Sequence, residues 1–577
     1  LPAHWGGIGI GNVNDKTRFH DEAVSTTGNH GFKGEIDDVQ VYNQSFSDSN
    51  VNGISNAPKA PTVSDDQVVT IVNAPLTISI QDLISNDYFD HNSEFTITQI
   101  MNSLDGTLIE QDGEIIFTPK ADFQGVTNFE YTIETQGGTD TGIVEINVKQ
   151  ASLGTNLATV KDWSTQIPFL DGFKSSRAWI PQKNGVWNTQ ETLSLDANGW
   201  ITSLPNKASN IEYKYASTLL YRDLQGQYLD GTYIVLYDGD GVLQYGMDAV
   251  KNEALSTEGR DVIQVTPSNK GILLTLTETD RQNNGNYLRN IRVISQQFEN
   301  SYQTEIFNPA FVEKINPFST LRFMDWMETN NSTQKEWQNR PTLNNATWAI
   351  SGVPVEIMVE LANKTSNDPW FTIPHQATDE YVREFATYVR DNLNPELKIY
   401  VEYSNEVWNP QFEQHRWIEQ EYGHVQDGYS QRLTEVLGIW EGVFAQTGSQ
   451  EDVIGVASGQ AGNDWVLSRI LQFAWADQPL TPQEYGIDAI AIAPYFAGGK
   501  HLLDTPEKVE TIKSWIHTEA DGGVTKLFDE LNQGGLTGKT ALEFVVDLII
   551  PHQEIAQKYD LDLLAYEGGQ HLVKEND

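Results

Sequence analysis

Among the 577 residues there is no cysteine. This excludes disulfide scaffolds, Cys-ligated zinc, iron–sulfur clusters and cysteine nucleophiles. Positive charge is scarce. Lys and Arg number 37 against 80 Asp and Glu, giving a net charge of −43 and a pI near 4.4. Such a chain lacks the basic face that nucleic-acid binders use to release counterions, so no nucleic-acid partner is expected. Runs of about 18 apolar residues are missing as well, so neither a membrane-spanning segment nor a signal peptide is expected. No His-Glu-x-x-His, phosphate loop, dinucleotide fingerprint or EF-hand spacing occurs, and no cofactor or metal is expected for catalysis. The first residue is Leu1, not Met, which reads as a start inside a longer gene product.

Hydrophobic residues make up 39% of the chain and aromatics 10%, too many for a disordered polymer. The length calls for several domains. Residues 1–150 carry a net charge of −16 and the remainder −27, so acidity covers the whole surface rather than a tail. Self-repulsion of that kind favours solubility and is screened by salt.

Three regions follow one another. In residues 1–56, the run from Gly31 to Tyr42 alternates apolar and polar side chains, as a half-buried strand does. Its Gly-x-Ile-Asp-x-Val-x-Val-Tyr pattern resembles the last strands of laminin-G-like or concanavalin-like jelly rolls. The resemblance implies that most of that module precedes Leu1. It also implies a structural Ca2+ near Asp37 and Asp38, against which stands the simpler reading of an exposed strand face. Pro58 and Pro61 then stiffen a linker.

Residues 57–150 hold about seven short strands separated by turn residues, the pattern of a β-sandwich. The phrases Leu83-Ile84-Ser85-Asn86-Asp87 and Ile116-Phe117-Thr118-Pro119, with Asp122-Phe123-Gln124-Gly125, resemble the cadherin-like (bacterial Ig-like) repeats of bacterial surface proteins. Such modules are spacers or adhesive units.

From residue 151 to 577 the texture changes, and 14 of the 15 tryptophans lie here. Strand and helix patterns alternate, which predicts βαβ units and a parallel sheet. Expected strands span 153–160, 319–326, 353–361, 397–404, 452–458, 487–493 and 562–567. A helix with an apolar stripe is expected from Thr378 to Leu393, stopped by Asn394-Pro395. Seven strands of this kind form a TIM-type barrel lacking its eighth. The gap between the first two strands is too long for one crossover. It predicts an inserted β-sandwich at about 182–300, serving either to bind carbohydrate or merely to shield the barrel.

Two strands end in carboxylates. One runs Tyr400-Val401-Glu402-Tyr403-Ser404-Asn405-Glu406-Val407-Trp408, the other Leu564-Ala565-Tyr566-Glu567-Gly568-Gly569. In a parallel barrel the C-terminal strand ends form the active site. A glutamate after the fourth strand, within Ser-Asn-Glu, and another after the seventh resemble the clan A glycoside hydrolases. That resemblance implies a retaining hydrolase in which Glu406 is the acid/base and Glu567 the nucleophile. It assigns Asn405 to the sugar 2-hydroxyl, Arg322 to holding the nucleophile ionised, and Tyr495 to a hydrogen bond with it. Trp163, Trp326 and Trp408 fall near strand ends, where flat indoles could stack on sugar rings. Trp179, Trp370 and Trp465 lie in similar places, although for any single Trp a core position is the simpler reading. His375 either touches substrate or caps the next helix. Asp325 and Glu360 are further carboxylates expected at strand ends, and Glu402 reads as a barrel-lining structural carboxylate.

The expected function is hydrolysis of a β-linked polysaccharide by a secreted or cell-surface bacterial protein. The alternative is a surface or matrix protein whose barrel only binds glycan.

Overall fold

A computed structural model describes residues 60–570. Within that span it leaves out 73–74, 90–94, 101–104, 112, 122, 150–152, 206–211, 497–501 and 503. Before residue 60 it describes one two-residue pairing, Asn12–Val13 with His30–Gly31. The strand expected from Gly31 to Tyr42, with Asp37 and Asp38, therefore lies outside the described residues. The chain divides into two compact units, one made of segments within residues 1–146 and the other essentially Asn147–Asp577.

The first unit contains an all-β sandwich. A four-stranded sheet pairs Asp66–Ile71, Gly138–Lys149, Gly125–Thr135 and Phe95–Ile100 in that order, and a three-stranded sheet pairs Leu76–Ser79, Glu114–Pro119 and Gly106–Gln111. Alternation places Phe129, Tyr131 and Ile133 inside, all with no exposed surface. The Tyr131 hydroxyl donates to Asp87 at 2.9 Å, tying the sheet to the helical turn around Ile84.

Seven parallel strands build the second unit: β1 (Gly154–Asn156), β2 (Thr320–Arg322), β3 (Asp368–Ile373), β4 (Ile399–Tyr403), β5 (Val453–Ser458), β6 (Ala489–Ile492) and β7 (Asp562–Ala565). They pair in sequence order, each parallel to the next. In a flat sheet β2 and β7 would lie about 24 Å apart, at about 4.8 Å per strand. Yet Arg322 on β2 reaches Glu567, just beyond β7, at 3.4 Å. The sheet therefore curls into a half-barrel. Among the described residues no backbone ladder joins β1 to β7, but the Asn156 amide donates to the Tyr566 carbonyl at 3.2 Å across that gap.

Helices α1 (Val355–Thr365), α2 (Asp379–Asn392) and α3 (Val425–Phe444) cover the outside of the sheet. α2 shows the local logic. The Thr378 side chain accepts from the Tyr381 N–H, Asp379 and Glu380 occupy the positive end, and Val382, Phe385, Ala386 and Val389 form the buried stripe.

The expected third strand is a correction. Residues 355–361 belong to helix α1, which starts after Pro354. Its apolar run reads like a buried strand because the helix is itself enclosed, burying Val355, Ile357, Met358, Val359 and Leu361. The real β3 lies further on and contains Pro369, a residue that argues against a central strand. Pro369 sits near the strand's start, where its missing N–H costs little. Glu360 consequently lies exposed on a helix and not at a strand end.

Between β1 and β2 sits a β-sandwich of two four-stranded sheets. One pairs Ile180–Gln182, Tyr215–Leu220, Ile272–Thr279 and Gly241–Met247. The other pairs Ala249–Lys251, Arg260–Val265, Gly231–Asp238 and Arg289–Ser295. Inward residues such as Leu220, Val235, Ile263, Leu274 and Val293 form a core of its own.

Candidate active site

β4 ends abruptly. Ser404 still donates its N–H to the Ile373 carbonyl at 2.8 Å, but its φ is 60°, and Glu406 has φ 43°. Side-chain-bearing residues rarely adopt that left-handed region, at a cost of order 1–3 kcal/mol each. The two turns lift Asn405 and Glu406 out of the ladder at the C-terminal end of the sheet. The Asn409 N–H closes the turn onto the Glu406 carbonyl at 2.8 Å.

Beneath them lies a buried charge network. Glu402, on β4, is fully enclosed. Its Oε2 accepts from Arg322 Nε at 3.1 Å, Arg322 Nη2 at 2.9 Å and Trp370 Nε1 at 2.9 Å, and its Oε1 accepts from Ser458 Oγ at 2.5 Å. Residues from β2, β3, β4 and β5 thus converge on one carboxylate. Burial of an ion pair is offset only by such complete hydrogen bonding. Arg322 is 3% exposed and spends its remaining N–H groups on the site, donating to Asn405 Oδ1 at 2.9 Å and to Glu567 at 3.4 Å.

Glu567 follows β7. One oxygen accepts from Arg322 and the other from the Tyr495 hydroxyl. Burial and this hydrogen bond push the Tyr495 hydroxyl well above the usual phenol range, so it stays a donor. Glu406 accepts from Asn409 Nδ2 at 3.0 Å and from the Tyr566 hydroxyl at 3.2 Å. Burial, and after it the charge of Glu567, raise the Glu406 carboxyl above the ordinary range against the opposing pull of Asn409, Tyr566 and Arg322. Asp325 is raised as well, by burial and by the charges of Glu328 and Glu567.

Asn405 is 2% exposed, with its amide donating to Asn330 Oδ1 at 3.0 Å. Gln414 locks both, donating to Asn330 Oδ1 and to the Asn405 carbonyl, each at 2.8 Å. The second N–H of the Asn405 amide makes none of these bonds.

The geometry brings Arg322, Asn405, Glu406, Tyr495 and Glu567 together at one end of the sheet. Trp408 is half-buried, with its indole N–H enclosed and unpartnered. Trp163, in the loop after β1, is half-exposed. Trp326 is a correction: it has no exposed surface and packs among Phe169, Phe311 and Phe323, so it offers no face to a sugar. His375 is fully buried against Trp417, and Thr378, not His375, caps α2. Burial lowers its imidazole to about 4. Trp370 lies within β3, where it stacks on Tyr400 and holds Glu402. Among the described residues no cluster of three or more His, Asp or Glu could hold a metal ion, and no helix is long and apolar enough to cross a membrane.

Comparison with known proteins adds one assignment. Residues 57–147 match the family model of a bacterial Ig domain. No curated protein matches the chain. Similar solved structures include a 2,6-sialyltransferase of Photobacterium sp. JT-ISH-224, with 13% identity over 18% of this chain and 22% of that one, at a TM-score of 0.13. A glycoside hydrolase family 107 endo-fucoidan hydrolase has 11% identity over 37% of this chain and 25% of that one, at 0.14. A Bacteroides fragilis protein provisionally named an alpha-galactosidase has 7% identity over 80% of this chain and 63% of that one, at 0.19. The chain thus spans a quarter or less of the first two structures, and scores so low carry no argument about activity.

Ser458, Tyr566 and Asn156 entered the site without being given a role in the sequence, and Trp370, expected near a strand end where it could stack on a sugar, instead holds Glu402. A signal was present: Asn156, Arg322 and Ser458 are the polar last residues of β1, β2 and β5. One polar residue per strand terminus marks the mouth of a parallel barrel.

Proposed function

We propose that the second unit is a retaining glycoside hydrolase acting on a β-linked polysaccharide, in a protein that works outside the cell or at its surface. One observation carries this reading. Two carboxyls follow β4 and β7 within electrostatic reach of each other, Glu406 raised by burial and by the charge of Glu567, Glu567 accepting from a guanidinium and a phenol. Different environments for two neighbouring carboxyls divide an acid from a nucleophile.

Glu406 donates its proton to the leaving glycosidic oxygen. Glu567 attacks the anomeric carbon and forms a glycosyl ester. Glu406, now ionised, takes a proton from water, which attacks the same carbon and releases Glu567. Such a pair works at a separation of about 5–5.5 Å. Arg322 and Tyr495 orient Glu567, and the spare N–H of Asn405 suits a hydroxyl next to the anomeric carbon. The match of residues 57–147 to a bacterial Ig domain supports an extracellular setting.

The test is the stereochemistry of the first-formed sugar, followed by NMR on a panel of β-linked polysaccharides. The expected first product is the β-anomer. Azide should rescue Glu567→Gly to an α-glycosyl azide and Glu406→Gly to a β-glycosyl azide. First-formed α-anomer, or no release from any glycan, overturns the reading.

A further inference from the structure

The inserted sandwich has a polar outer face that its core does not require. Register pairs Gln182 with Tyr215, Ser217 with Thr275, and Thr275 with Gln244. Because side chains alternate along a strand, Ala216, Leu274 and Leu276 point to the core, and Tyr215, Ser217, Thr275 and Thr277 point outward. This outward face floors an open groove of about 580 Å³. A tight turn at Lys183–Val186, closed by reciprocal backbone bonds, brings Trp187 to its edge, where the indole is 46% exposed.

Gln182 is the informative residue. It is 4% exposed, and its amide oxygen accepts from Ser217 Oγ at 2.7 Å, which is linked in turn to Thr275 at 2.8 Å. Its amide nitrogen has no partner. Turning the amide over would only move the vacancy to the oxygen. An unsatisfied buried amide is costly, and a ligand hydroxyl that reached it would recover that cost. Within a chain of charge −43, no Asp or Glu lines this groove among the described residues. Lys183, the one charged side chain among those described lining residues, is already ion-paired with Glu212. An exposed indole beside a half-buried tyrosine, amides and hydroxyls, with no free charge, matches the C–H faces and hydroxyls of an uncharged sugar.

We infer that the groove beneath Trp187 is a second, non-catalytic site that binds a neutral glycan chain, with Trp187 and Tyr215 stacking on sugar rings and Gln182 and Gln244 reading hydroxyls. The choice of a glycan rests on the reading of the strand-end site as a polysaccharide hydrolase. A chain held here would stay near the unit between cleavage events.

Affinity electrophoresis of the whole chain tests this in gels containing hydroxyethyl cellulose, mixed-linkage β-glucan, xylan or galactomannan, with alginate and a sulfated fucan as charged controls. Retardation is expected in at least one neutral gel. Trp187→Ala and Gln182→Met should each weaken it about tenfold, and Gln244→Leu, at an exposed position that does not endanger folding, a few-fold. Glu406→Gln and Glu567→Gln should retain it. Near-ultraviolet circular dichroism of each variant separates lost binding from lost folding. If no neutral gel retards the chain, if the groove variants bind like the parent, or if retardation appears only in the charged gels and vanishes with salt, the inference is overturned, whatever the strand-end site does. Conversely, Trp187-dependent retardation without hydrolysis of any glycan would overturn the hydrolase reading and leave this site standing.

Discussion

The two polar regions of the second unit are built differently. In the inserted sandwich, most buried carboxylates tie together nearby pieces of chain. Asp248 receives the Ser268 and Gly271 N–H groups at 2.7 and 3.0 Å, closing a turn, and Asp261 meets Lys251 and Tyr245 on the strand beside it and the facing sheet. At the strand ends the polar groups instead span β2, β3, β4, β5 and β7. Left-handed backbone occurs in both regions, at Ser404 and Glu406 as at Tyr221 and Met247, and does not separate them. What separates them is reach: polar groups satisfied locally stabilise a fold, whereas groups gathered from many strands around two carboxyls mark a candidate site.

The comparison breaks most visibly in turnover. Replacing Glu567 or Glu406 by Gln should lower kcat by about 10²–10⁴-fold or more on any accepted glycan, measured as reducing-end release. A comparable carboxylate change in the sandwich, Asp248→Asn, should lower thermal stability and leave kcat within about twofold.

Stability gives the next contrast. Arg322→Met leaves Glu402 buried without its cation and should cost about 3–5 kcal/mol in denaturant unfolding, whereas Arg322→Met combined with Glu402→Leu should recover much of that loss. Trp326→Ala should cost about 3–5 kcal/mol as a core cavity, and Trp163→Ala no more than about 0.5 kcal/mol.

Protonation provides finer tests. His375 is lowered to about 4 from 6.5, so its neutral burial helps fully above about 6.5 and is lost as pH falls through about 4. His375→Gln should flatten the acid side of the stability profile, by about 2–3 kcal/mol between those limits. Glu406 is raised in the folded state, so its contribution is present at low pH and lost as pH rises through its folded pKa. Glu406→Gln should therefore raise Tm by a few degrees at pH 8 and leave it nearly unchanged at pH 4, the smallest of these effects.

Legibility followed the same division. Strands β4–β7 fall within expected runs because each is short, largely apolar and bounded by turn residues, and β1 and β2, Gly-Thr-Asn and Thr-Leu-Arg, are short pieces of the longer expected runs 153–160 and 319–326. β3 was hidden by Pro369, and α1 took its place because the apolar run Val353–Leu361 outweighed a helical signal that was present, Glu356, Glu360, Asn363 and Lys364 at i, i+4, i+7 and i+8. Glu406 and Glu567 stood out as carboxylates following apolar strands. Ser458 and Tyr566 did not, and Trp370 stood out only as an indole near a strand end, since nothing local says that these residues meet Glu402 or Glu406.

By itself the sequence determined the β module that matches at 57–147, the net negative charge, the lack of cysteine in these 577 residues and the strand ends that carry glutamates, because composition and periodicity are local properties. The tertiary structure alone decided which residues share a site. Arg322 and Glu567 are 245 positions apart, and only the curl of the sheet makes them neighbours. Side chains from outside the sheet, Phe169 and Phe311 on Trp326 and Trp417 on His375, bury those two residues, since exposure depends on what packs from elsewhere in the chain.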